Sequence, residues 1–128
     1  MADIELSGFE EMTRKLDELG RKAGRVENNA LRAGAEVLQE VMSDNAPVDP
    51  NSEHDVHLKD NIQISKVKRK GGEKVIEVGP GEGSFYAMFL ELGTSKMTPD
   101  PFVDRSIAQS KDKVIKAMAD ELRDGLGL

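Results

Sequence analysis

The sequence has no cysteine and no tryptophan, and only one tyrosine, four phenylalanines and two histidines among 128 residues. Without cysteine there is no disulfide, thiolate metal site or cysteine nucleophile, and the chain must hold its fold by packing, a usage that fits a reducing compartment. So few aromatic rings leave little for stacking bases or sugars. Two imidazoles cannot complete a histidine-rich metal site, and no Ser-His-Asp order is recognisable. No apolar run approaches the ~18 residues that span a bilayer. The opening Met1-Ala2-Asp3-Ile4-Glu5 is acidic where a secretory signal would be basic and then apolar, so the protein is expected to act in the compartment where it is made. An excess of positive charge is lacking too: 18 Lys and Arg stand against 24 Asp and Glu, for a net charge of -6, which argues against a wholly basic nucleic-acid-binding domain.

What is present is charge on a thin core. Apolar residues make up 38% of the chain and charged ones 33%, and the mean hydropathy is -0.50. The length fits a single domain, residues 1–128, that buries roughly two-thirds of its unfolded surface. The charge is unevenly spread: residues 58–74 carry +4, from six basic and two acidic side chains, while 1–46 carry -4, 47–57 carry -3 and 75–100 carry -3. One short basic segment therefore sits between acidic ones.

The pattern along the chain predicts an α+β fold: two N-terminal helices, a β-hairpin-based antiparallel sheet, a short apolar helix, and a C-terminal helix packed on the sheet. Ser7-Gly8-Phe9-Glu10 reads as a capping box. It leads into a first helix with Phe9, Met12, Leu16 and Leu19 on one face and a stop at Gly20. A second helix follows with a stripe of Val26, Ala30, Ala33, Val37 and Val41, widened by Leu38 and Met42; the small residues in its first half suit close approach to another backbone. It ends before Pro47. Residues 47–57 have two prolines and no periodicity and are expected to form a mobile loop. Strand character begins near Leu58 with Ile62 and Ile64 alternating, and Gly71-Gly72 separates this run from Val75–Val78 as a hairpin turn. The alternation slips at Lys66-Val67-Lys68, marking either a bulge or an arm leaving the core. After Gly79-Pro80-Gly81-Glu82-Gly83, Ser84 caps a nearly all-apolar helix, Phe85 to Leu92, which is either core or partner surface. Asp100 as N-cap and Pro101 at the first position open the last helix, ended by Gly125 and Gly127.

Three constellations offer candidate chemistry. The Gly79–Gly83 loop sits between strand and helix, as a phosphate cradle would, but lacks the Lys-Ser/Thr of a Walker loop and has Glu82 at its centre. Glu53-His54-Asp55-Val56-His57 has metal-binding side chains at a spacing that meets only in a helical turn; the alternative is a solvated loop. The basic hairpin, Lys66, Lys68, Arg69, Lys70 and Lys74, has three readings: an edge protected by charge, an arm that contacts an acidic protein face, or a phosphate-binding tip with salt-sensitive affinity. No catalytic, cofactor-binding or metal-ligating residue is assigned, and no enzyme activity is expected.

The most specific stretch runs from Tyr86 through Phe89, Glu91, Gly93 and Thr94 to Pro101 and Phe102: an aromatic-rich helix ending Glu-Leu-Gly-Thr, a linker, then Pro-Asp-Pro-Phe opening a helix. It resembles the head-tail connector and tail-completion proteins of long-tailed bacteriophages and prophages. Ala46-Pro47-Val48-Asp49, Leu58-Lys59-Asp60-Asn61-Ile62 and an extended start leading into the Ile4–Leu19 region fit the same family, while Pro50–His57 replaces its usual Thr-Gly with a longer loop and Asn61 stands where Ser is common. The resemblance implies a small α+β virion subunit that assembles as a homo-oligomeric ring of six copies at the head-tail junction, made in the host cytoplasm. Its implied neighbours are the head-side connector and a tail-tube or tail-terminator protein, with DNA only as cargo through the channel and with no membrane. Tyr86, Phe89, Glu91, Gly93, Thr94, Pro101 and Phe102 are then either interface or internal packing residues. The alternative class is a small nucleic-acid-binding regulator using the basic hairpin.

Overall fold

The computed structural model describes the backbone of residues 2–47, 58–81 and 100–127, and the side chains of these from Glu10 onward. Among these residues helix α1 spans Ala2–Asn45, a 3-10 turn spans Leu58–Asn61, and four short strands follow: β1 (Ile62–Ile64), β2 (Lys68–Lys70), β3 (Glu73–Val75) and β4 (Val78–Pro80). Helix α2 spans Phe102–Leu126. The α+β class holds, with two corrections to its helices.

The first correction is that the two expected N-terminal helices are one helix of 44 residues, about 66 Å long. It starts at Ala2, ahead of the Ser7 capping box and in place of the expected extended start. Gly20 does not stop it. An interior glycine costs only about 1 kcal/mol, and propagation from an already formed helix carries no new nucleation cost. An apolar seam at alternating four- and three-residue spacing, Met12, Leu16, Leu19, Ala23, Val26, Ala30, Ala33 and Val37, continues past Gly20 without a phase change. The second correction concerns the last helix, expected on the sheet. Its length runs antiparallel along α1, where Gly125 packs on Val26, Gly34 meets Val114 and Met118, and Asn45 bonds to Ser106 and Gln109, while its head, Phe102 and Val103, shares a cluster with Ile62 and Val78 of the strands.

Small residues permit that approach, as the sequence predicted for this stretch of α1. A Cβ on Gly34 would lie 2.8 Å from Met118 Cγ, and one on Gly125 would lie 2.6 Å from Val26 Cγ1. Gly125 is thus internal to α2, and Gly127, at φ +74° with its N–H on Asp124 O, ends the helix in the left-handed conformation. At the other end the predicted cap is displaced by one residue: Pro101 is the N-cap, and the Asp100 carboxylate takes Arg105 Nη1 at 2.9 Å. Arg105 Nη2 also donates to Asn45 O at 3.4 Å, partnering a carbonyl that the end of α1 leaves open.

The core lies at this end of the helix pair. Met42, Ala46, Leu58, Ile62 and Phe102 form a buried cluster, with Leu38, Val78 and Val103 packed on it. Leu58, read as the beginning of strand character, belongs to the 3-10 turn and is buried in the cluster. Gln39 Nε2 donates to Ile62 O (2.7 Å) and Ser43 Oγ to Lys59 O (2.6 Å), fixing the turn and β1 to α1.

The strands form one antiparallel arm in two ladders. β1 pairs with β4 (Ile62 with Pro80, Ile64 with Val78), and β2 pairs with β3 (Lys68 with Val75, Lys70 with Glu73). Between them three residues, 65–67, oppose two, 76–77, so the register slips by one: this is a bulge, at the place where the alternation breaks. Ser65 holds it, with its N–H on Glu77 O (2.8 Å) and its hydroxyl accepting Glu77 N–H (2.9 Å). Gly71 and Gly72, at φ +58° and +84°, make the turn, a conformation that requires positive φ at both central residues.

α2 and the arm both stop near Gly24–Val26, and α1 does not. Every residue from Glu10 to Ala23 is exposed. On this overhang Met12, Leu16 and Leu19 are 54, 61 and 62% exposed, leaving roughly 1–2 kcal/mol of possible burial unrealised at each.

Candidate functional site

The basic segment of the sequence becomes the tip of the two-ladder arm. Lys66, Lys68, Arg69 and Lys70 are exposed along β2 and its approach. Glu77, across the bulge, holds two of them: its carboxylate accepts from Lys70 Nζ at 2.8 Å and lies 3.6 Å from Lys68 Nζ. The hydrogen bond from Lys70 and the two ammonium charges hold the Glu77 carboxyl below its ordinary value. Arg69 Nη1 reaches Gly72 O at 3.4 Å across the turn.

Lys74 is set apart from the other four cations of the arm. It faces inward from β3 with a side chain 15% exposed, and its Nζ donates to Asn28 Oδ1 (3.0 Å) and Gly24 O (3.3 Å) beside Glu27 Oε2 (3.7 Å). The side chain alternation of a strand explains this: Lys74 points to the face opposite its neighbours Glu73 and Val75, and that face lies on α1. The arm is therefore clamped on the helix and presents Lys66, Lys68, Arg69 and Lys70 from a fixed position.

A groove of about 480 Å³ lies further along α1, between the helix and the 3-10 turn, lined by Glu36, Gln39, Glu40, Ser43, Asp44, Lys59, Asp60 and Ile62. Four carboxylates stand there against one ammonium. Sequence reading placed the acids on helix surfaces but did not group them, because Asp60 joins the others only through the docking of the turn on α1. Among the described residues no three His, Asp or Glu side chains are placed to hold a metal ion, and no helix is long and apolar enough to cross a membrane.

Of the motif residues, Phe102 is fully buried in the core cluster and Pro101 is exposed at the head of α2. Tyr86, Phe89, Glu91, Gly93 and Thr94 lie outside the described residues, as do Glu82 and Gly83 of the glycine-rich loop, the apolar Phe85–Leu92 segment, and His54 and His57. Gly79 and Pro80 are strand residues of β4. The overhang stripe is a surface that sequence reading missed: Met12, Leu16 and Leu19 had the periodicity of a core face, and the seam repeat running on to Val37 was the signal that they belong to one long helix.

No curated protein and no solved structure matches the chain. A family model does, over residues 10–93, and its description reads "Bacteriophage HK97-gp10, putative tail-component". The matched stretch takes in α1 from Glu10, the 3-10 turn and the whole arm, about two-thirds of the chain, and stops short of α2. The chain belongs to the HK97 gp10-like family of bacteriophage tail components.

Proposed function

We propose that this tail component is a non-enzymatic structural subunit that joins the tail to the head, as a tail-completion or head-tail connector protein, and that it works as a homo-oligomeric ring, six copies by the family resemblance. Its neighbours in this reading are further copies of itself, the head-side connector and a tail-tube or tail-terminator protein, with DNA passing through the channel as cargo. One observation carries the reading: a basic arm tied down by Lys74 and an acidic groove lie on the same long helix. A head-to-tail interface needs two different, complementary patches on one chain, and it closes into a ring when the rotation between copies closes. Lys66, Lys68, Arg69 and Lys70 offer one sign, while Glu36, Glu40, Asp44 and Asp60 offer the other.

The arm suits a protein face better than a phosphate backbone. Glu77 stands between Lys68 and Lys70, and Glu73 lies beside the turn, so four exposed cations carry two exposed carboxylates among them. Phosphate binding scales with the number of unpaired cations that displace counterions.

The test is charge reversal at Lys68, Arg69 and Lys70 together, in phage. All three are exposed, and Lys74, which clamps the arm, is left in place. The variant should fold normally by circular dichroism, while electron microscopy shows heads and tails unjoined. Normal joining would sink the arm's role. The purified wild-type chain should not be retained on duplex DNA at low salt; salt-sensitive retention would favour the regulator reading instead.

A further inference from the structure

We infer that the overhang of α1 from one copy packs against the outer flank of α2 of the next copy, helix on helix. The inference rests on the self-assembly reading above, but comes from a different surface. The seam that α2 covers from Val26 onward continues on the same face of α1 through Leu19, Leu16 and Met12, where nothing of the described chain covers it. The face is continuous with a helix–helix interface already in place, so its geometry calls for another helix at the same spacing.

The same molecule presents one. Ile115, Leu122 and Leu126 on α2 are 55, 37 and 45% exposed. Their spacing of seven residues and then four repeats that of Met12, Leu19 and Ala23 on α1, and each run of twelve residues is about 16 Å from first to last. Matched heptad spacing lets the knobs of one helix enter the holes of another. The two runs cannot meet within one chain: α2 reaches α1 at Val26 through Gly125, and Leu16 lies ten residues, about 15 Å, further along. Charge does not oppose their meeting between copies. Residues 10–23 hold four acidic and four basic side chains and residues 111–126 likewise, so both are neutral within a chain of net charge -6. Pairing overhang with overhang would leave the α2 stripe in water. Pairing overhang with α2 covers both stripes with one repeated, head-to-tail contact.

The absence of cysteine makes the test direct. Phage particles are assembled with the full chain carrying Leu16→Cys together with Ile115→Cys or Leu122→Cys, exposed positions where folding is checked by circular dichroism, then oxidised and run on a non-reducing gel. At least one pair should give a ladder of cross-linked multimers up to the ring size, with each single variant giving monomer. A dimer from Leu16→Cys alone would show overhangs paired with each other and overturn the inference. So would no cross-link in particles shown by quantitative mass spectrometry to hold several copies, a result that leaves the ring reading standing. One copy per particle would overturn both.

Discussion

Lys74 donates to Asn28 across 3.0 Å, a contact between a strand residue and a helix residue 46 positions apart. It joins the most basic segment of the chain to the middle of its longest helix, where the overhang begins. Replacing Lys74 by Met keeps the aliphatic length and removes the ammonium. A hydrogen bond from a charged group contributes about 1.5–3 kcal/mol, and the partial exposure of Glu27 discounts the ionic part. The variant should lose about 1–2 kcal/mol in urea denaturation, with faster amide exchange confined to β2 and β3. An unchanged exchange rate there would mean that the clamp does not hold the arm.

Two glycines in helices should respond in opposite directions to alanine. A Cβ at Gly125 meets both methyls of Val26 at 2.6 and 2.8 Å, and a β-branched side chain cannot turn aside. Overpacking of this kind costs about 1–3 kcal/mol, more than the helix propensity gained. At Gly20 nothing among the described residues lies within 4 Å, so Gly20→Ala should raise helicity and stability by about 0.5–1 kcal/mol. Thermal melting of the two variants reads both signs.

A pair of serines buried between the helices provides a second contrast. Ser106 donates to Phe102 O (2.6 Å) and accepts from Asn45 Nδ2 (3.0 Å), whereas the Ser110 hydroxyl is buried with no hydrogen-bond partner among the described residues. Ser106→Ala strands the Asn45 amide of one acceptor and should destabilise by about 1 kcal/mol. Ser110→Ala removes an unsatisfied group and should stabilise by a similar amount. Equilibrium denaturation of both variants decides it.

The charge of the arm depends on pH through Glu77. Its carboxyl is held below the ordinary value by the hydrogen bond from Lys70 and the charges of Lys68 and Lys70. A group with a lowered folded value contributes stability that is complete above its unfolded value and is lost as pH falls through the folded one. The arm should therefore keep its two ion pairs throughout the neutral range and lose them only in acid, below the ordinary glutamate range. Carbon-detected NMR titration of Glu77 should show a midpoint below that of free glutamate, and replacing Lys70 by Met should move it up.

Local chemistry was legible in the chain. Gly71-Gly72 carries its own turn because glycine alone takes positive φ at no steric cost, and the break in alternation at Lys66-Val67-Lys68 marks the bulge because side chain direction has a strict period of two. The small residues of α1 announced close helix packing. Boundaries were less legible: Ser7, Gly20 and Asp100 all carry terminus signals, and each is overridden by about 1 kcal/mol or less of competing helix continuation or side chain pairing.

The sequence by itself determined that this is a small, cysteine-free α+β chain with one basic arm and apolar faces at helical spacing, and its motifs pointed to phage tail proteins. Only the tertiary structure decided which of those faces is covered and which cations are exposed. Met12 and Val26 sit on one seam and are alike in periodicity, but Val26 lies under Gly125 while Met12 lies beyond the end of α2. Lys70 and Lys74 are alike in composition, but alternate strand faces send one to solvent and the other to Asn28. Burial and pairing depend on what arrives from elsewhere in the chain, and periodicity fixes only the direction in which a side chain points.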